Sequence, residues 1–198
     1  MVRHGETEWT RNSRQTGRAD FPLTSEGIEE ARALARILDA FGANPLTLDG
    51  IYCSPARRAR ETLEAILPLG IVGTSSELLR EIDFGDVEGM TPGEVEAAIP
   101  GWDVWTMGCP GGESVEDLGK RADAFLADCQ DGEDILAVTH GLMLRVLAMR
   151  ALGFEPRQGG RFSVATASLS IVEDGYRGRV MTHWNVKRPR FLPEARHM

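Results

Sequence analysis

Lysine is nearly absent from this chain: of 22 basic residues only Lys120 and Lys187 are lysine, and 20 are arginine. A bias of that kind follows genomic base composition, so only the positions of particular arginines carry meaning. Bases are also outnumbered, 22 against 30 acids for a formal charge of −8, which argues against a general nucleic-acid or anionic-membrane binder. Cysteine is scarce and odd in number. Cys53, Cys109 and Cys129 form no CxxC pair, so neither a zinc knuckle nor a disulfide framework is suggested, and three reduced thiols in a cytoplasmic protein are expected. No apolar run approaches the roughly 20 residues of a membrane span. Arg3, His4, Glu6 and Glu8 break any signal-peptide core at the outset. Internal repeats, low-complexity tracts and linker-like composition shifts are missing too.

What remains has globular proportions, 42% apolar and 26% charged over 198 residues, consistent with one domain spanning the chain. The spacing of Ile28, Ala31, Ala35, Leu38 and Phe41 predicts a helix over Thr24 to Phe41, with Thr24 or Ser25 as cap and Gly42 as stop. Gly50 to Ser54 reads as a short buried strand followed by a helix from Pro55 to Leu67, and Ile71 to Glu77 as a weaker strand. Ser114 caps a helix to Cys129. Ile135 to Val138 is an apolar strand leading into a helix over Leu142 to Leu152. Phe162 to Val172 and Val180 to Trp184 read as strands joined by a turn at Glu173 to Gly178. The tail from Lys187 to Met198 reads as loosely held. Strands alternating with helices predict an α/β fold, a three-layer α/β/α sandwich with a mostly parallel central sheet. If Arg3-His4 ends a buried strand, only Met1 and Val2 are left to build it.

In open sheets of this kind reactive groups gather at the carboxyl ends of strands. Three such ends carry unusual residues: Arg3-His4-Gly5-Glu6-Thr7, Ser54-Pro-Ala-Arg57-Arg58-Ala-Arg60 and Thr139-His140-Gly141. Arginine offers a planar fork of donors suited to phosphoryl oxygens, and glycine lets backbone N–H groups approach an anion. Histidine can carry a covalent intermediate. Two His-Gly junctions with arginines and no acid-rich metal box point to metal-free phosphoryl transfer, the arginines spreading charge that magnesium neutralises elsewhere. Arg57 and Arg60 read as exposed helix arginines.

Arg3-His4-Gly5-Glu6-Thr7 resembles the RHG signature of the histidine phosphatase superfamily, the phosphoglycerate mutase-like family. Gln15-Thr16-Gly17, Pro22-Leu23-Thr24 with Gly27, Ser54-Pro55 with Arg58-Ala59 and Thr62, Leu79-Arg80-Glu81 with Gly85 and Glu88-Gly89, Gly112-Glu113-Ser114 and His140-Gly141 follow in the family's order. The resemblance implies His4 as nucleophile, Arg3, Arg58 and His140 as phosphoryl ligands, and Glu81 as the acid that protonates the leaving oxygen. It adds Thr16 and Gly17 as substrate contacts and implies no cofactor. Six residues after the nucleophile many members carry Asn, whereas this chain has Thr10, whose hydroxyl can donate one bond to phosphate. Such a residue resembles the branch of bacterial acid phosphatases and sedoheptulose-bisphosphatase-like enzymes.

A lid insertion is expected over about 82–113. From Glu81 to Gly119 there are ten acids and no Lys or Arg, a lid that would repel a doubly charged bisphosphate. The expectation is therefore a phosphatase acting on small phosphorylated metabolites, with a cofactor-dependent phosphoglycerate mutase as the alternative. Arg11, Arg14 and Arg18 are candidates for a second anion contact if they converge. Trp9, Trp102 and Trp105 could stack on substrate, or pack the lid. A strand at the sheet edge could pair across a homodimer.

Overall fold

A computed structural model describes residues 1–43, 45–68, 70–130 and 132–187. The chain runs through β1 (Val2–Arg3), α1 (Glu8–Arg11), α2 (Ser25–Ala40), β2 (Gly50–Cys53), α3 (Arg57–Ile66) and β3 (Thr74–Ser75). It continues through α4 (Pro92–Ala98), α5 (Val104–Met107), α6 (Val115–Asp128), β4 (Ile135–Thr139), α7 (Gly141–Ala151), β5 (Leu169–Gly175) and β6 (Gly178–Val186). Among the described residues one six-stranded sheet has the order β3-β2-β4-β1-β5-β6. β3, β2, β4 and β1 are parallel, while β5 runs antiparallel to β1 and β6 antiparallel to β5.

The period of two along β4 divides the interior. Leu136 and Val138 point to a cluster built with Ala31, Leu34 and Leu38 of α2 and Ala59, Leu63 and Ile66 of α3. Ala137 points the other way, to Leu118, Ala122 and Phe125 of α6 and Met143, Val146 and Leu147 of α7. The sandwich is thus three layers with both sheet faces covered, as expected. Thr24 caps α2 by accepting from Gly27 N, Phe41 ends it, and Gly42 follows at φ +71. Ser114 caps α6 by accepting from Asp117 N.

Three expectations need adjustment. The strand over Ile71 to Glu77 is reduced to Thr74 and Ser75, both exposed at the sheet edge. Phe162 to Ser168 is not strand. A 3₁₀ turn over Pro156–Arg161 leads into irregular chain, and β5 begins only at Leu169. The turn expected over Glu173 to Gly178 shrinks to Tyr176 and Arg177, because β5 continues to Gly175 and β6 starts at Gly178. Of the tail, Lys187 donates to Thr166 Oγ1 at 3.2 Å and pairs with Glu30; its remainder lies outside the described residues. No helix among the described residues is long and apolar enough to cross a membrane.

The loop after β1 lies directly on α2. A β-carbon on Gly5 would sit 2.5 Å from Gly27 O, and one on Gly27 would sit 2.2 Å from Glu6 O. Neither position has room for a side chain. Gly27→Ala should therefore destabilise the protein by about 1–3 kcal/mol, read as a lower urea midpoint; an unchanged midpoint would contradict the close approach.

Candidate active site

Strand register assembles the site before any side chain is considered. Arg3 pairs with Thr139 and Cys53 with Val138, so His4, Ser54 and His140 emerge side by side at the carboxyl edge of β1, β2 and β4. His4 N donates to Thr139 O at 3.0 Å and Ser54 N to Val138 O at 3.0 Å, which holds the three strand ends level. The imidazoles of His4 and His140 meet edge to face with centroids 5.2 Å apart.

Each ring has an assignable tautomer. His4 Nδ1 lies 2.7 Å from Gly5 O, a group that can only accept, so Nδ1 carries the proton and Nε2 carries the lone pair. His140 Nδ1 accepts from Arg58 Nε at 3.1 Å, so its Nε2 donates to Ser54 Oγ at 2.7 Å. Both rings are buried and held well below the usual imidazole range, first by desolvation and then by Arg58, with Arg3 adding to the effect. The site therefore holds a neutral His4 with a free nucleophilic nitrogen.

Two guanidinium groups surround it. Arg58 is fully buried, near the start of α3. It donates to Ala19 O at 2.8 Å, Gly17 O at 3.0 Å and Thr16 O at 3.3 Å, as well as to His140. Its nearest carboxylate, Asp20, is 3.9 Å away. Arg3 donates to Val164 O at 2.6 Å, but its Nε is buried with no partner among the described residues. A β-carbon on Gly141 would come within 3.4 Å of the Arg3 Cζ. Burial lowers the pKa of both guanidiniums, against the field of Glu81. An unsatisfied buried donor beside a second buried cation is an arrangement that an anion completes.

Glu81 reaches the same corner from the opposite side of β4. Its carboxylate accepts from Leu142 N and Met143 N, each at 3.0 Å, and so covers the positive end of α7 immediately after His140. Thr62 joins the elements by accepting from Gly5 N at 2.9 Å and donating to Arg58 O at 2.7 Å. Arg3, His4, Arg58, Glu81 and His140 are thus brought together from four separate stretches of chain.

The remaining candidates are placed differently. Thr10 Oγ1 accepts from Thr7 N at 2.8 Å and donates to Thr7 O at 3.0 Å, so its hydroxyl is spent in the cap of α1. Thr16 and Gly17 serve through their carbonyls, which hold Arg58. Arg11, Arg14 and Arg18 do not converge: they pair with Glu6, Glu94 and Asp83 respectively. The acidic lid residues are thus partly neutralised from outside the lid, a pairing that charge counts along the chain do not register. Trp9 packs on Phe21 with centroids 4.4 Å apart, and the Trp102 indole donates to Gly108 O at 2.8 Å.

Trp105 lies under Arg145, 4.6 Å from its ring centroid, and Arg145 also donates to Gly141 O and Phe162 O. Burial pushes the Arg145 guanidinium down to about 10. Sequence reasoning missed this residue, although its position one helical turn after Gly141 was a signal. Ser54 was recognised only as part of a motif; the hydrogen bond that orients His140 is visible only in space. Arg57 pairs with Glu61 on the exposed side of α3 as expected. Among the described residues no group of three or more His, Cys, Asp or Glu could hold a metal ion.

Comparisons with known proteins show the family and the fold. A family model described as the histidine phosphatase superfamily (branch 1) matches residues 1–187. An acid phosphatase of Mycobacterium tuberculosis is 36% identical over 176 residues, covering 86% of this chain and 83% of the relative. Sedoheptulose 1,7-bisphosphatase of Saccharomyces cerevisiae is 32% identical, covering 75% of this chain and 65% of the longer relative. The probable phosphoglycerate mutase GpmB of Salmonella choleraesuis is 31% identical, covering 87% and 83%. Among solved structures, the product of an open reading frame of M. tuberculosis superposes with a TM-score of 0.84 at 33% identity, covering 94% of this chain and 95% of the other.

The two buried rings make stability depend on acid. Below about pH 6.5 the unfolded chain binds protons that the folded site refuses, so their contribution is complete above that pH and is lost as pH falls. Unfolding free energy should decline as pH falls below about 6.5, and the His4→Gln/His140→Gln double variant should make that decline shallower, the remainder coming from the Met1 amine, which burial pushes down to about 5. An unchanged slope in denaturant titrations would contradict the burial of neutral rings.

Proposed function

This chain belongs to the histidine phosphatase superfamily (branch 1) and is an enzyme of the phosphatase class, and we propose that it is a metal-free phosphomonoesterase acting through a phosphohistidine on His4. The observation that carries the proposal is the buried Arg3 Nε without a partner, set beside Arg58 and the lone pair of His4 Nε2. A dianionic phosphoryl group supplies what that corner lacks: acceptors for charge-assisted bonds, each worth about 1.5–3 kcal/mol.

In the first step His4 Nε2 bonds to phosphorus and the bond to the leaving oxygen breaks, while Glu81 gives that oxygen its proton. The carboxylate so formed is received by Leu142 N and Met143 N. In the second step water attacks phosphorus, Glu81 takes its proton, and the bond to His4 breaks, returning a neutral ring. Arg3 and Arg58 hold the equatorial oxygens, and His140 joins them by turning its Nε2–H from Ser54 Oγ to the phosphoryl group. Engaging Arg58 Nε requires it to leave His140 Nδ1, which makes the Arg58–His140 bond a resting arrangement. Thr10 would join only by releasing Thr7 O, and Thr16 and Gly17 act by fixing Arg58.

The substrate class under this reading is small phosphorylated metabolites. A mutase reading draws on the GpmB relative, but a mutase must hold a second anionic group. The loop arginines are already paired with acids, which favours transfer to water. Cytoplasmic location and self-association through an edge strand belong to the same proposal, and fractionation and sedimentation read them directly.

His4→Ala should remove turnover and acid-labile phosphoenzyme together, whereas EDTA should leave activity unchanged. Phosphate or vanadate should inhibit competitively and raise Tm. A screen for phosphate release over sugar bisphosphates, phosphoglycerates and glucosyl-phosphoglycerate identifies the substrate; interconversion of 3- and 2-phosphoglycerate exceeding hydrolysis would reverse the assignment. Full loss of activity on chelation would overturn the metal-free mechanism.

A further inference from the structure

Glu81 projects from a stretch that belongs to no helix or strand, after a 3₁₀ turn over Glu77–Leu79. Yet all four carbonyl oxygens of residues 78–81 are bonded by side chains. Thr139 Oγ1 donates to Leu79 O at 2.7 Å. Arg121, on α6, takes the other three: Nη1 donates to Leu78 O at 3.0 Å and Arg80 O at 2.9 Å, and Nη2 to Glu81 O at 3.2 Å.

The rest of the Arg121 fork meets Glu113, Nε donating to Oε1 and Nη2 to Oε2, both at 2.8 Å. Every N–H of the guanidinium is thereby used, five donors on five acceptors. Glu113 in turn accepts from Asp83 N at 2.8 Å, and Glu113 N donates to Asp83 O at 2.9 Å. The clamp therefore grips the chain both before and after Ile82, and Glu81 lies inside it.

We infer that Arg121, oriented by Glu113, is a positioning residue that fixes the backbone from which the Glu81 carboxyl reaches the leaving oxygen. The inference rests on the proton-transfer role proposed for Glu81. Arg121 touches no substrate; it sets where the carboxyl stands, and a displacement of about 1 Å in such a group can cost on the order of a hundredfold in rate. Lysine keeps the charge but has no planar fork, so it cannot serve three carbonyls and a carboxylate together.

Leaving-group dependence separates positioning from plain scaffolding. A nitrophenolate departs readily without a proton, whereas an alkoxide does not. We would compare kcat/KM for para-nitrophenyl phosphate and glycerol 2-phosphate in the wild type, Glu81→Gln, Arg121→Lys and Glu113→Gln, with Tm and circular dichroism confirming the fold. Glu81→Gln should lose about a hundredfold or more on the alkyl ester and less than about tenfold on the aryl ester. Arg121→Lys should show the same selective loss, about tenfold or more on the alkyl ester alone, and Glu113→Gln a weaker form of it. If Arg121→Lys does not fold, Glu113→Gln carries the test.

Equal losses on both esters in the clamp variants, with Glu81→Gln still selective, would overturn the inference and leave the proton-transfer role of Glu81 standing. An unselective Glu81→Gln would overturn that role and the inference with it.

Discussion

Two guanidinium groups, that of Arg58 fully buried and that of Arg3 half-buried, have no carboxylate in hydrogen-bond contact among the described residues. Arg58 is fully buried and reaches only backbone carbonyls and an imidazole, and Arg3 keeps one donor unsatisfied. Leaving cations in that state is costly, and folds tolerate it only where the rest of the structure enforces it. Here the enforcement is identifiable: Thr16, Gly17 and Ala19 turn their carbonyls toward Arg58, and Val164 toward Arg3. Burial first, and then the same positive field, keeps His4 and His140 neutral, so the cost of the uncompensated guanidiniums and the readiness of the nucleophile share a cause.

The sheet supplies the precision. Because β1 and β4 are parallel and in register, His4 and His140 meet without any loop having to place them. Tight contact between Gly5 and Gly27 then presses the loop after β1 onto α2, and Thr62 ties it to α3. The opposite wall is looser in secondary structure. Around Glu81 it is built by side chains bonded to backbone carbonyls, with the segment carrying α4 and α5 folded over α6 and α7 through Trp105 and Arg157.

How much of this was legible depended on where burial imposes a pattern. α2 and α6 could be read to within a residue because each combines a capping hydroxyl with an apolar stripe facing the core. The far hairpin could not. Glu173, Asp174 and Gly175 stand clear of the core, so no alternation marks them as strand, and cross-strand bonding holds them. Phe162 to Ser168 misled in the other direction. Its apolar residues pair with no strand: Phe162, exposed, lies on Trp184 of β6, and Val164 turns into the interior. The loop arginines show the limit for charge, since Glu94 and Asp83 meet Arg14 and Arg18 only after the chain has closed on itself.

By itself the order of residues determined the layered α/β architecture and the short list of groups at strand ends, because periodicity, caps and strand-then-His-Gly junctions are local features. It carried the superfamily as well, since the motifs stand in sequence. Only the tertiary structure decided which nitrogen of His140 holds a proton, that Arg3 is bonded to Val164 O, and that Arg145 and Arg121 flank the site. Those are matters of hydrogen-bond geometry between segments up to 161 positions apart, as between Arg3 and Val164, and such pairings exist only once burial has excluded water as the competing partner.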